Sequence, residues 1–252
     1  MRVVSYNIRL GGGSRVPYLA QVIASLEPDI VLLQEATNPS AVDAIARAVG
    51  FAHTLRRPGW SVAALSREPV LAHEWHQPPR GSGFLALEPS GPDGLRLVNL
   101  HLTAGLSQRG ERARLLQIAD LIGWLGGAAD HRTALVGDLN AIAPGDVPRV
   151  AGMPFWLRML LRFDGGLQTD VHTRLAAAGW TDAFRHLSPG DPGSTMPAGA
   201  PHVRLDYVLV PGAVLPRVSS CAPAERELAA RASDHLPLVT VIDDAERVGP
   251  AG

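Results

Sequence analysis

The sequence predicts an α/β fold, and three observations carry that reading. Runs of branched apolar residues alternate with stretches of helical periodicity through the first half of the chain. Glycine and proline stand at the joints between them, and 252 residues with 46% apolar content suffice for one large core. A single domain over residues 1–243, followed by a tail over 244–252, is the expected organisation.

Val3 to Ile8 reads as a strand that Gly11-Gly12-Gly13 breaks; Pro17 to Leu26 has helical periodicity, and Pro28-Asp29 turns the chain into the strand Ile30 to Leu33, which leads to Gln34-Glu35. Pro39 suits the first turn of a helix over Ser40 to Val49, and Gly50 ends it. Ser61 to Ser66, Gly83 to Leu87 and Leu95 to Leu102 are short β-type runs expected to pair antiparallel, the last two across the turn segment Pro89 to Gly94. Ser107 to Leu125 reads as a long amphipathic helix, with Leu115, Ile118, Leu121, Ile122 and Leu125 on one side and Arg112, Arg114 and Asp120 elsewhere. Thr133 to Val136 is a buried strand, Thr169 to Ala178 a helix, Leu205 to Val210 a strand and Leu236 to Ile242 the closing strand. Residues 148–163 break the rhythm by gathering large apolar side chains around Arg158 and Arg162, one helical turn apart.

The formal net charge is −1 and every basic side chain besides histidine is arginine, so no global positive field recruits a polyanion; nucleic acid is a possible but not a favoured partner. The lone Cys221 cannot form an intrachain disulfide and reads as a small buried hydrophobe. No apolar run approaches membrane-spanning length, and the chain opens directly into a strand pattern. A cytoplasmic, soluble monomer is the expectation.

Polar residues collect at the ends of the apolar strands. Asn7 closes the first, Glu35 the second, Asp138 and Asn140 straddle Leu139 after the Thr133 strand, and Asp206 lies within Arg204-Leu205-Asp206-Tyr207. Asp234-His235 precedes the closing strand, and His101 alternates with Leu100 and Leu102. Hydrolysis of a phosphoester calls for a cation against the phosphoryl oxygens, an activated water and a donor for the departing oxygen. Mg²⁺ selects oxygen ligands such as the Glu35 carboxylate and the Asn7 amide carbonyl. Asp138 and Asn140, on one side of an extended strand end, suit a nucleophilic water or a phosphoryl oxygen. Asp206 is the expected partner of His235, since an imidazole held by a carboxylate is a competent base or phosphate-binding cation. Each residue alone has a bland reading, as a turn amide, an exposed carboxylate or a hydrogen-bonded core histidine.

Together and in this order the motifs resemble the endonuclease/exonuclease/phosphatase superfamily, whose members share an early strand ending in asparagine, a Gln-Glu strand, a His or Tyr strand, and Gly-Asp-Asn-type, Arg-x-Asp-Tyr and Ser-Asp-His motifs. All stand here, over essentially the whole chain, and Arg114-x-x-Gln117 matches a pairing often seen after the His strand. The resemblance implies a four-layer α-β-β-α sandwich of two packed mixed sheets, DNase I-like, with a divalent-metal site at one edge. It makes Glu35 the principal ligand of Mg²⁺, or of Mn²⁺ or another divalent ion, helped by Asn7 and Asp234. His101 and Asn140 would contact the scissile phosphate, Asp138 would orient or deprotonate the water, and the Asp206–His235 pair would act at the same centre, the base being Asp138 or His235.

The abasic-site nuclease branch usually carries Asn or Asp two positions after the first asparagine and a tyrosine at the His position, where this sequence has Arg9 and His101. The Tyr6-Asn7-Ile8 opening and the Asn99 to Leu102 strand look closer to the branch with sphingomyelinases and inositol-polyphosphate phosphatases. The implied substrate is a phosphodiester or phosphomonoester such as a lipid headgroup or small organophosphate, with a DNA or RNA nuclease as one alternative and a silent phospho-ligand-binding module as another. Every motif position is filled, which speaks against silence. Residues 148–163 would either pack on the rim of the active site or make peripheral membrane contact.

Overall fold

The computed structural model describes residues 1–90, 94–146, 148, 155, 158–159 and 168–244. Its strands are β1 Arg2–Asn7, β2 Ile30–Gln34, β3 His53–Leu55, β4 Ala63–Ser66, β5 Val70–His76, β6 Phe84–Pro89, β7 Arg96–His101, β8 Thr133–Asp138, β9 Trp180–Asp182, β10 Asp206–Pro211, β11 Val218–Pro223 and β12 Leu238–Ile242. The α-helices are α1 Val16–Ser25, α2 Pro39–Val49, α3 Gln108–Trp124, α4 Asp170–Ala177, α5 Ala183–Leu187 and α6 Arg226–Ala232. Two six-stranded sheets form, ordered β11-β12-β1-β2-β4-β3 and β5-β6-β7-β8-β10-β9. Each is mixed, for β1–β2 and β7–β8 run parallel while most of their neighbours run antiparallel.

Alternation within the central strands builds the layers. In β1 and β2, Val3, Ile30 and Leu32 enter a core shared with Leu85, Leu97, Val136 and Val208 of the other sheet, while Val4, Tyr6, Val31 and Leu33 pack outward against Leu19, Ile23, Val42 and Ile45 of α1 and α2. Phe84, Val98, Leu100 and Leu135 likewise meet Ile118 and Leu121 of α3 and Val171 and Leu175 of α4. Such strands are buried on both faces, which is why they read as near-continuous apolar runs. The result is the expected DNase I-like sandwich, helices outside two sheets.

Local signals set the helix ends. Ser107 caps α3 by accepting from Gly110 N, and the Asn38 side chain caps α2, whose Pro39 lies in the first turn. Gly50, at φ 83°, ends α2 in the left-handed region that glycine adopts without strain.

The structure corrects the reading in three places. The hairpin-like runs do not stay together: β6 and β7 pair antiparallel, but β4 joins β2 in the opposite sheet. Arg114, read off the apolar side of α3, is nonetheless buried: it is 1% exposed, its guanidinium closed by Glu111 at 2.8 Å and by the carbonyls of Thr103 and Gly105 at 2.9 and 2.6 Å. Strands β3, β5, β9 and β11 went unread because they are short or lie at sheet edges without a strict apolar alternation.

Of residues 148–163, only Pro148, Phe155, Arg158 and Met159 are described, so the contrast between rim packing and membrane contact lies outside the described residues; Phe155 and Arg158 are exposed. No described helix is long and apolar enough to cross a membrane. Cys221 is buried in β11, where burial pushes its thiol up to about 12.

Candidate active site

Strand pairing, parallel in β1–β2 and β7–β8 and antiparallel in β10–β8, carries the polar residues to one edge of the sandwich. Asn7 lies beside Gln34 in the β1–β2 ladder, His101 beside Asp138 in β7–β8, and Asp206 beside Asp138 in β10–β8. Two acids facing each other across strands repel unless something positive intervenes. His235, on the turn before β12, supplies it: its Nδ1 lies 2.9 Å from Asp206 Oδ2 and its Nε2 3.8 Å from Asp138 Oδ2.

A continuous line of polar groups then crosses from one sheet to the other. Asn7 Nδ2 donates to Asp138 Oδ2 at 3.0 Å and to Glu35 Oε1 at 3.2 Å, and His101 Nε2 stands 3.9 Å from Asp138 Oδ2. Asn140 N donates to Asp138 Oδ1 at 2.9 Å, and its amide reaches Leu102 O at 3.1 Å. Of the eight residues anticipated at the site, seven join this network; Asp234 stands at the rim, 3.4 Å from Arg9 Nε. Asn140 does not extend the strand as expected. At φ 49° it turns left-handed, which lets its N–H close back on Asp138.

Glu35 is left-handed too, at φ 51°, and its Oε2 accepts from Leu10 N at 2.6 Å. Four of the five described non-glycine residues with positive φ, namely Arg9, Leu10, Glu35 and Asn140, belong to this edge. Backbone strain gathers where surrounding structure over-determines it, as at functional sites. Gly137 adds a close approach: at φ 144°, it runs so near β7 that a Cβ would lie 2.0 Å from Leu100 O.

The electrostatics follow from burial and charge. Burial lifts the Asp138 carboxyl above its usual range and neighbouring Asp206 adds to the lift, opposed by His235. Burial works against the charged form of His235, but Asp206 and Asp138 outweigh it and raise the imidazole to about 10. Glu35 is half-buried; desolvation is outweighed by the Leu10 N–H, the Asn7 amide and the two histidines, so its carboxyl lies below its usual value and is ionised.

Oxygen donors and excess negative charge fit a hard divalent cation. Among the described residues none donates a hydrogen bond to the buried Asp206 Oδ1, consistent with a site whose charge is not balanced internally. Among the described histidine, cysteine and acidic side chains, Asp138, Asp206 and His235 each offer a ligand-type atom, all within 4.8 Å of one another. With His235 Nδ1 bonded to Asp206, that trio is already knit together, whereas Glu35 reaches solvent.

Several contributors escaped the sequence reading. Ser61 Oγ lies 3.2 Å from His101 Nδ1 and fixes the ring. Gln34 Nε2 donates to Asn99 Oδ1 at 2.8 Å, and Asn99 Nδ2 to Leu33 O and Ala63 O, so two fully buried amides rivet the sheets just behind the site. Gln117 Oε1 accepts from Thr103 N at 2.9 Å and, with Arg114, holds the loop after His101. The Gln34 and Arg114-x-x-Gln117 positions were visible as motif members; their partners were not.

The model of the Endonuclease/Exonuclease/phosphatase family matches residues 4–235. No curated protein matches the chain. Among solved structures, an AP endonuclease from Archaeoglobus fulgidus is similar with a TM-score of 0.76 at 20% identity, over 96% of this chain and 99% of that one. The 3′ phosphatase NExo from Neisseria, in a structure bound to product DNA hairpin, gives 0.70 at 20% over 96% and 99%. An endonuclease/exonuclease/phosphatase from Beutenbergia cavernae gives 0.71 at 22% over 96% and 72%. At these identities the likeness is one of fold.

Proposed function

The chain belongs to the endonuclease/exonuclease/phosphatase family and is a phosphoester hydrolase; from that premise we propose that it cleaves small phosphoesters, monoester or diester, with a divalent cation, Mg²⁺ or Mn²⁺, held by Glu35 and Asn7 and assisted by Asp234. The observation that carries the reading is the line Asp206–His235–Asp138–Asn7–Glu35, which joins both sheets through contacts of 2.9, 3.8, 3.0 and 3.2 Å. When bound, the cation supplies neutralisation of phosphoryl charge.

The protein's own groups do the rest. Asp138, its pKa lifted, accepts the proton of the attacking water, while its Oδ1 stays anchored by Asn140 N. His235, held by Asp206, is an imidazolium at neutral pH and stabilises phosphoryl charge from the buried side. His101, its ring fixed by Ser61, and Asn140 contact the phosphoryl oxygens. The near-neutral charge and the Arg9 and His101 departures support a substrate of the sphingomyelinase or inositol-phosphatase type over duplex DNA.

Hydrolysis of bis(p-nitrophenyl) phosphate and p-nitrophenyl phosphate with Mg²⁺ or Mn²⁺, lost in His235→Ala with the circular-dichroism spectrum unchanged, is the expected result. A metal-loaded wild type inert on both esters and across a phospholipid and inositol-phosphate panel counts against it. The second reading, a nuclease, is favoured by the fold neighbours that act on DNA. Activity on oligonucleotides alone, falling steeply with salt as phosphate contacts release counterions, would promote it.

A further inference from the structure

We infer that Arg9 is a substrate-phosphate contact that biases this site toward phosphomonoesters, an inference that rests on the hydrolase reading above. Residues 9–13 form a run of five positive φ angles, 53°, 49°, 71°, 79° and 51°. The last three residues are glycines and adopt this backbone freely; Arg9 and Leu10 do so at about 1–2 kcal/mol each. A glycine at position 9 would avoid that strain, so the arginine side chain is what the strained turn presents.

The turn is fastened to the site itself. Arg9 N donates to Asn7 Oδ1 at 2.9 Å, Leu10 N to Glu35 Oε2 at 2.6 Å and Gly11 N to Glu35 O at 2.8 Å. The Arg15 guanidinium spans the carbonyls of Ile8, Arg9 and Ala232 from the other side. Arg9 is thereby registered against both Asn7 and Glu35. Its Nε lies 3.4 Å from Asp234 Oδ2, and its side chain is 52% exposed, at the mouth of a site whose floor residues Asp138 and His235 are buried.

Stability does not account for this arrangement. A half-exposed ion pair contributes about 0–1 kcal/mol, no more than the strain of the turn. A half-exposed guanidinium whose backbone is tied to Asn7 and whose Nε lies against Asp234 is instead suited to anionic oxygens, which such a fork binds in pairs. A diester offers two non-bridging oxygens with one charge, and the proposed contacts from His101, Asn140 and the cation already cover two. A monoester carries a third terminal oxygen and about −1.5 to −2 charge at neutral pH. Arg9 is the group positioned to take that extra oxygen and charge.

The test compares wild type, Arg9→Gln and Arg9→Lys on p-nitrophenyl phosphate and bis(p-nitrophenyl) phosphate with Mn²⁺, alongside thermal shifts induced by inorganic phosphate and by Mn²⁺ alone. Arg9→Gln should lower kcat/KM for the monoester roughly 10- to 100-fold, the range for losing a charge-assisted hydrogen bond, and for the diester less than about 3-fold. Arg9→Lys should fall between. Inorganic phosphate should stabilise the wild type and not Arg9→Gln, with the Mn²⁺ shift at least as large in the variant, whose Asp234 no longer faces a guanidinium. Equal losses on both esters, or an unchanged phosphate shift in Arg9→Gln, overturns the inference, as does a wild type that phosphate leaves unshifted. If neither ester is cleaved while the phosphate shift depends on Arg9, the hydrolase reading fails and the phosphate contact stands.

Discussion

Two buried ionic clusters flank the start of β10, and they are built on opposite principles. On one side, Arg204 is bonded through Nε and Nη2 to both oxygens of Asp146 at 2.9 and 3.1 Å and pairs with Asp182 at 2.7 Å, while Arg185 reaches Asp146 at 2.7 Å. Two arginines meet two aspartates, and Arg204 lies over the Tyr207 ring at 4.4 Å. Two residues along, Asp206 opens the other cluster, where carboxylates on Glu35, Asp138, Asp206 and Asp234 outnumber the cationic partners His235 and Arg9. A network that cancels its own charge holds the fold. One that leaves an excess is prepared for a cation and an anionic substrate from outside.

Substitutions can break that contrast. Asp138→Asn keeps the shape but removes the group proposed to take the proton, so kcat/KM on a phosphoester should fall by about 10²–10⁴-fold with the thermal midpoint nearly unchanged; a full loss of folding would place Asp138 with the structural cluster instead. Asp146→Ala should do the reverse, leaving Arg204 with Asp182 alone and taking the carboxylate from Arg185, and costing about 3–5 kcal/mol in denaturant unfolding, the penalty for breaking a buried ion pair. A loss below about 1 kcal/mol would mean the cluster is not what holds that corner.

Metal linkage sharpens the comparison. Mn²⁺ at about a hundred times its Kd should stabilise the wild type by about 2.7 kcal/mol by mass action. That gain should vanish in Glu35→Gln and survive in Asp182→Asn. A shift that persists in Glu35→Gln would move the cation toward Asp138, Asp206 and His235.

The last effect is set by pH. His172 is buried against the Tyr207 ring, and burial, with Arg204 close by, pushes its imidazole down to about 3. An unfolded chain takes up that proton near pH 6.5 while the folded one refuses it, so the contribution is complete above pH 6.5 and declines on acidification toward pH 3. The slope is about 1.4 kcal/mol per pH unit for one group. Urea unfolding between pH 6.5 and 4.5 should therefore be flatter in His172→Gln than in wild type; parallel curves would mean that another group controls the acid limb.

The strand ends were legible because each breaks an apolar run with a polar residue, and the order of those breaks carried the fold. Asp206 could be named as the candidate partner of His235, because alternation turns His235 away from Asp234 and toward a carboxylate of another strand. The neutralised cluster could not: Arg204 and Asp146 are 58 positions apart, and nothing local to either points to the other. Arg204 was visible only as the first letter of the motif that delivers Asp206. The burial of Arg114 went unread for a related reason, since helical periodicity registers charge and not the loop carbonyls that Thr103 and Gly105 bring to it. Sequence patterns report which side chains a strand or helix sends inward; they are blind to partners supplied by distant backbone.

Gly137 turns that blindness into a tool. Because β7 and β8 touch where position 137 has only hydrogen, the spacing between His101 and Asp138 depends on a methyl group that is missing. Alanine there would wedge the two strands apart and pull His101 and Asp138, the groups proposed to act at the phosphoryl centre, out of alignment while leaving both chemically intact, so turnover should be lost with every polar side chain still in place.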